Sequence, residues 1–168
     1  MCNYGSAIAC FYNTYETLNE DKHKNKSLNN IRMKEFLLNF EGYWRDCNKN
    51  GLPAYPGIYM VYRCQYDEQN NTVNLIDIIY IGQATNIHDR IGTHDKYDLF
   101  KSKLLVGEEL CYSCANVDND VDIVENALIF AQKPVLNDQG KSSYNYERAN
   151  VRALGACACM KYNNFNIG

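Results

Sequence analysis

Residues 57–82 read GIYMVYRCQYDEQNNTVNLIDIIYIG, and this stretch decides the fold. Its two ends are rich in β-branched, aromatic and apolar residues, which favour strands over 57–65 and 73–82. The polar cluster between them, residues 67–72, is typical of a turn. Because little polar surface remains on either strand, the pattern predicts an antiparallel hairpin that is buried on both faces.

Helices and a third strand are predicted after this hairpin. Thr85 or Asn86 can cap a short helix with inward-facing isoleucines. Residues 108–117 favour a strand. A second helix is predicted from about 121 to 132, after an Asp-Asn-Asp capping cluster, and Pro134 forces its end.

The flanks of the hairpin carry weaker patterns. Residues 13–30 are polar and predict a solvated loop or frayed helix. From 31 to about 48, aromatic and apolar residues recur at three and four spacing, which predicts a helix that stops before Gly51. These residues are Phe36, Phe40, Tyr43, Trp44 and Cys47. Near the other end, residues 150–154 and 165–167 are candidates for short strands.

Composition places the chain among ordinary globular proteins. It has 168 residues, 46% hydrophobic and 22% charged, which argues against disorder and fibrous folds. With 17 basic and 20 acidic residues, the net charge is -3. Bulk attraction to nucleic acid is therefore disfavoured, and any such contact needs a local basic patch.

Neither a membrane span nor a secretory signal is visible in the sequence. No stretch approaches the roughly 20 apolar residues that a membrane helix needs. The first residues lack the basic region and the long apolar region of a signal peptide. We therefore expect a cytoplasmic protein.

The chain contains eight cysteines, for which we expect free thiols. Cys111 and Cys114 form a CxxC pair and Cys157 and Cys159 a CxC pair, so a structural zinc site is an alternative. The first pair falls on a predicted strand, where residues three apart point to opposite faces. Buried thiols that behave as small apolar residues are the simpler interpretation.

Several polar residues are candidates for chemistry, although each also has an ordinary structural interpretation. Glu125 lies at the edge of the apolar stripe of its helix and could simply be a half-exposed helix residue. Arg90 and His94 lie one turn apart and could belong to a solvated face. Tyr59 and Tyr80 could be core residues in a chain with 14 tyrosines.

Taken together, three segments resemble the GIY-YIG nuclease family. They are GIY at 57–59, YIGQATNIHDRIGTH at 80–94 and ENALIFAQKPVLN at 125–137. The resemblance covers about residues 55–140. It implies an α/β (α+β) fold, in which a central three-stranded antiparallel sheet is flanked by helices. Residues 1–54 would then be a helical decoration at the N-terminal end, and 141–168 an extension that includes short strands.

The resemblance also implies an activity, the hydrolysis of DNA phosphodiester bonds with one Mg²⁺ or Mn²⁺ ion per active site. Glu125 would be the sole protein ligand of this ion, which retains much of its water. Arg90 would complement the charge that develops on the phosphate. Tyr59 would be the general base, with its pKa lowered by nearby positive charge.

Three further residues receive supporting roles from the same resemblance. Tyr80 and His94 would orient water and phosphate, with a proton relay through His94 as an additional possibility. Asn137 would brace the site through hydrogen bonds. Two basic stretches could track phosphates, although solubility explains them equally well. They contain Lys24, Lys26, Arg32, Lys96, Lys101 and Lys103.

The favoured interpretation is a compact DNA endonuclease of the restriction or mobile-element type. A palindromic target would require a homodimer. A catalytically silent or weakly active DNA-binding module on the same scaffold is the first alternative. The incision nuclease of a repair complex is the second, and analogy of fold does not separate it from the first interpretation.

Overall fold

A curled six-stranded sheet is the body of the structure, a computed structural model that describes residues 33–168. Across the sheet the strand order is β3-β2-β4-β1-β5-β6. All neighbours are antiparallel except β1 and β5, which are parallel. The strands are β1 Lys34–Arg45, β2 Gly57–Asp67, β3 Thr72–Ala84, β4 Glu109–Asn116, β5 Ala149–Gly155 and β6 Asn164–Ile167.

Helices are few and mostly short. A 3-10 helix follows β1, and three α-helices connect the strands after the hairpin; these elements are 3-10 Asp46–Gly51, α1 Ile87–Gly92, α2 Tyr97–Lys101 and α3 Val121–Gln132. The side chain of Asn86 caps α1 by accepting a hydrogen bond from the main-chain N–H of Asp89. Within residues 33–168, no helix has the length and apolar character needed to cross a membrane.

The expected fold, a three-stranded antiparallel sheet flanked by helices, is wrong. Strand accounts for 40% of the described residues and helix for 21%, and the sheet is mixed. β3, β2 and β4 are neighbours, but β4 pairs through its second edge with β1. Because β1 in turn pairs with β5, the sheet continues through both segments that flank the resemblance.

The helix predicted over 31–48 is also wrong, since residues 34–45 form strand β1. Phe36, Leu38 and Phe40 lie on its inner face, two residues apart, and the latter two are fully buried. The same aromatic residues satisfy a helical spacing, so local periodicity was ambiguous. Hydrogen bonds to β4 on one edge and β5 on the other decide for the strand.

Other elements agree with the sequence prediction. The hairpin of β2 and β3, the strand β4 and the helix α3 lie within two residues of their predicted bounds. The short strands expected near 150–154 and 165–167 are β5 and β6. The polar segment 13–30 lies outside the described residues.

Alternation along β2 divides the core into two clusters, one on each face of the sheet. Ile58, Met60 and Tyr62 pack with α3. Tyr59 and Val61 point the other way and pack with apolar residues of α1 and α2. The side chains predicted for the site therefore come from both faces of the sheet.

The same division separates the CxxC pair. Cys111 belongs to the cluster on the α3 face and Cys114 to the cluster on the opposite face, so one zinc ion cannot bind both thiols. Every cysteine in the described part of the chain is a free thiol. Cys2 and Cys10 lie outside it.

Candidate active site

Tyr59 is buried near the start of β2, and a glycine opposite it makes room for its ring. It pairs across the hairpin with Gly82 of β3. A Cβ atom at position 82 would overlap the phenol of Tyr59. Gly57, two residues earlier, has a φ of +155°, and a Cβ there would collide with the carbonyl of Ala115. Both glycines of the GIY and YIG segments are thus required by close packing.

We expect Gly82→Ala to lower the free energy of unfolding by about 1–3 kcal/mol, because the added methyl displaces the Tyr59 phenol. The matched control is Gly92→Ala in α1, where a Cβ meets nothing within 4 Å. Urea unfolding of both variants checks this. Equal stabilities would show that the ring moves aside at no cost.

The Tyr59 hydroxyl lies 2.8 Å from Nε2 of His94, and the partners of His94 fix its tautomer. Nδ1 accepts a hydrogen bond of 3.0 Å from the main-chain N–H of Lys96. Nδ1 is therefore unprotonated, and in the neutral ring Nε2 carries the proton. His94 donates this proton to the phenol oxygen of Tyr59.

Burial keeps His94 neutral. The residue is 6% exposed, and burial together with the charge of Arg90 lowers its pKa to about 4. A charged imidazolium is thus absent from the site at neutral pH. The ring acts as a fixed hydrogen-bond donor.

This burial predicts an acid-sensitive stability. In the unfolded chain His94 takes up a proton near pH 6.5, whereas in the folded protein it does so only near pH 4. Between these values the unfolded state binds more protons, so the free energy of unfolding falls as the pH falls, by about 3 kcal/mol at most.

The measurement is urea unfolding of the wild type and of His94→Gln from pH 7 to pH 4. The variant should show a flatter pH dependence. The raised pKa of Glu125 has the opposite effect, because it favours the folded state in acid. Glu125 is present in both proteins, so its contribution cancels when the variant is compared with the wild type at each pH. Parallel curves would mean that His94 titrates normally in the folded protein.

Arg90 lies next to Tyr59. Its guanidinium places a positive charge beside the phenol and forms an ion pair of 2.6 Å with Asp95. Burial raises the pKa of Tyr59 by more than the charge of Arg90 lowers it, so the net shift is opposite to the lowering that the resemblance implies. The side chain is 36% exposed, so the guanidinium remains accessible from solvent.

Glu125 projects from α3 into a polar cleft of about 390 Å³. Burial raises the pKa of its carboxyl, and the hydrogen bonds of Gln83 oppose part of that rise. Among the described residues it has no ion-pair partner. The cleft is lined by Tyr80, Lys96, Asp122, Glu125, Asn126, Ile129, Asn137, Asp138, Gln139 and Tyr146.

Tyr80 lines this cleft and also lies beside Tyr59 and His94. Its ring lies edge-on to His94, with centroids 5.6 Å apart, and 6.2 Å from the ring of Tyr59. Burial raises the pKa of the Tyr80 phenol, and the charge of Glu125 adds to that rise, as it does for Tyr59. One contiguous group thus lies across the edge of β3 from Glu125. It consists of Tyr59, Tyr80, Arg90 and His94.

Asn137 holds the edge of β3 in place. Its side chain accepts from the N–H of Ile81 (3.0 Å) and donates to the carbonyl of the same residue (2.8 Å). The N–H of Leu136 bonds the carbonyl of Ile79 in the same way. The segment after α3 therefore covers the open edge of the sheet between Tyr80 and Gly82.

We expect Asn137→Leu to reduce the free energy of unfolding by about 1–3 kcal/mol, because it leaves the peptide groups of Ile81 buried without partners. Asp138→Ala is the matched control, since within residues 33–168 that side chain forms only an exposed ion pair, with Lys96. Thermal or urea unfolding measures both. A stability loss no larger than the control's would mean that water replaces the amide.

The candidate DNA-contacting lysines are only partly placed near the site. Lys96 lines the cleft and lies 5.3 Å from the ring centroid of Tyr80. Lys101 and Lys103 are exposed around the end of α2. The remaining candidates, Lys24, Lys26 and Arg32, lie outside the described residues.

Two residues that sequence reasoning missed contact the group. Asp95 holds the guanidinium of Arg90, and Gln83 approaches Glu125 and donates to Asp122 at 2.5 Å. Asp95 directly follows His94, and Gln83 directly follows Gly82; both of these preceding residues belong to the segments that carry the resemblance. That adjacency was the available signal, but it does not indicate the direction of a side chain.

No known protein family, curated protein or solved structure matches the chain in sequence or fold comparisons. In residues 33–168, moreover, no three His, Cys, Asp or Glu side chains converge into a metal-binding group. A functional interpretation therefore depends on the geometry of this site and on the residue types in it.

Proposed function

We propose that the protein is a metal-dependent DNA endonuclease of the GIY-YIG type that hydrolyses phosphodiester bonds. The observation that carries the proposal is the setting of Tyr59. Its phenol oxygen accepts a hydrogen bond from His94 and lies next to the charge of Arg90, beside a cleft that holds the carboxylate of Glu125. A restriction or mobile-element role suits a compact chain of this kind.

The residue types meet the needs of phosphodiester hydrolysis. Attack on the phosphorus places negative charge on the nonbridging oxygens, which a fixed cation stabilises. Arg90 is permanently charged, partly exposed and held in orientation by Asp95. A phosphate in the cleft would compete with Asp95 for this guanidinium, so binding of substrate would exchange one anion for another.

The donor set at Glu125 fits Mg²⁺ or Mn²⁺. The carboxylate is half-buried in a cleft of oxygen-bearing side chains, and no cation among the described residues pairs with it. A hard ion that retains several waters needs no more than one or two protein carboxylates. When bound, such an ion supplies positive charge for the phosphate and lowers the pKa of a coordinated water.

Tyr59 would accept the proton of the attacking water. In the phenolate form its oxygen would accept a hydrogen bond from His94 and face the charge of Arg90, and both oppose the rise in pKa that burial causes. His94 cannot relay this proton in the tautomer described above, because Nδ1 is occupied by the N–H of Lys96. Its role is to hold the phenol, and Tyr80 would orient water beside it.

The test is incubation of the purified protein with plasmid and genomic DNA, with Mg²⁺, with Mn²⁺ or with EDTA, followed by sequencing of the fragment ends. Metal-dependent ends at discrete sites are expected, and a palindromic site would also support a homodimer. Binding of DNA without any cleavage in either metal would contradict the proposal. It would favour the silent DNA-binding module instead.

A further inference from the structure

A second cavity opens beside the cleft that holds Glu125. Its volume is about 540 Å³. Asn126, Gln139 and Tyr146 line both cavities, so the two are adjacent. We call the second cavity the amide groove; its lining residues are Asn126, Gln139, Gly140, Ser143, Asn145 and Tyr146.

The chemistry of the amide groove differs from that of a phosphate site. Its lining, as far as the structure describes it, contains no charged residue. Sites that follow the DNA backbone use Lys and Arg, and neither residue type lines the groove among the described residues. An anionic ligand is therefore disfavoured, whereas amide side chains present a donor and an acceptor side by side.

One amide in the groove is held in a defined orientation. Nδ2 of Asn126 donates to the main-chain oxygen of Asp122 at 2.9 Å and to the hydroxyl of Tyr146 at 3.1 Å. Gly140 stands beside the other end of this amide, where a Cβ would lie 3.3 Å from Oδ1. The glycine thus leaves space next to a fixed hydrogen-bond acceptor.

An aromatic ring completes the groove. Tyr146 is 43% exposed, and its ring centroid lies 5.7 Å from that of Tyr144. An exposed ring supported from behind offers a stacking surface for a planar base. An amide held beside such a ring can hydrogen-bond the edge of a base while the ring stacks on its face.

We propose that the amide groove binds nucleobases next to the phosphate that is cleaved and sets the base preference of the enzyme. This inference rests on the proposed function, because the groove is placed by its adjacency to the Glu125 cleft. Asn and Gln pair with adenine through its N6 amino group and N7, so adenine is the expected preference. The ligand is thus uncharged base surface, while Arg90 takes the phosphate.

The experiment uses the full chain and a library of duplexes with random sequence. One arm selects bound duplexes in Ca²⁺, and the other sequences the ends cut in Mg²⁺. The variant is Asn145→Ala, an exposed position that lines only the amide groove. The matched control is Asn74→Ala, an exposed amide of β3 outside it.

We expect the wild type to enrich adenine at one or two positions, and Asn145→Ala to reduce that enrichment about tenfold, within the range of a lost amide–base pair. Asn145→Asp should move the preference toward cytosine, whose N4 amino group donates to a carboxylate. Asn74→Ala should keep the wild-type pattern.

The two arms separate the two proposals. Unchanged base preference in both Asn145 variants would overturn the amide groove, whatever the rate of cleavage. Enrichment that depends on Asn145 without any cleavage would overturn the endonuclease and support the groove as a base reader. Absence of any base preference in the wild type would also overturn the groove.

Discussion

Glu125→Gln is expected to abolish Mg²⁺-dependent cleavage, with a loss of roughly 10³-fold or more. The amide has the same shape as the carboxylate but lacks its charge. No other carboxylate is proposed as a ligand of the ion, so little affinity for the metal would remain. Stability should hardly change, because burial already disfavours the charged form of Glu125.

Conversion of supercoiled plasmid to nicked and linear forms measures the activity of this variant. The matched control is Glu68→Gln, in the exposed turn between β2 and β3, which should cut like the wild type. Equal melting temperatures would show that both variants are folded. Undiminished cleavage by Glu125→Gln would remove the carboxylate from the mechanism.

Tyr59→Phe should lower the rate of cleavage by roughly 10² to 10⁴, the usual contribution of a general base. The change removes one oxygen atom, to which His94 donates a hydrogen bond and beside which the charge of Arg90 lies. Binding of DNA should persist, because Arg90 and the cleft remain. The effect should therefore appear in the single-turnover rate and not in the affinity.

A matched control is Tyr66→Phe at the far end of β2, whose hydroxyl bonds only Asn71 among the described residues. It should cleave at the wild-type rate. If Tyr59→Phe did the same, Tyr59 would be a structural residue, and the proton of the water would need another acceptor.

Local patterns predicted the elements whose partners are close in sequence. The hairpin of β2 and β3 joins strands across a turn of four residues, 68–71, and both strands are rich in β-branched, aromatic and other apolar residues. Helix α3 combines an apolar stripe with a proline just after its end. In both cases the residues that decide the structure lie within one window of sequence.

The topology of the sheet depends on distant partners, which explains the error there. β1 satisfies a helical spacing and a strand spacing at once, and only β4 and β5 decide between them. Those partners are far away along the chain, and no pattern within residues 31–48 encodes them. Tertiary pairing therefore overrides local propensity at β1.

The residues of the site could be predicted from the sequence, but the hydrogen bonds between them could not. The sequence segments contain Tyr59, Tyr80, Arg90, His94 and Glu125, which the fold brings around one edge strand. The tautomer of His94 depends on the main-chain N–H of Lys96, a contact set by the turn before α2. Such a contact has no signature in residue type.

The parallel pairing of Lys34 with Ala149 has a consequence for biosynthesis. β1 pairs with β4 on one edge and with β5, residues 149–155, on the other. During translation β1 therefore lacks one of its two neighbours until most of the chain has been made. Sheets closed by such remote pairing form slowly. Any fragment that begins at residue 55 would lack β1 and leave β4 with an open, aggregation-prone edge.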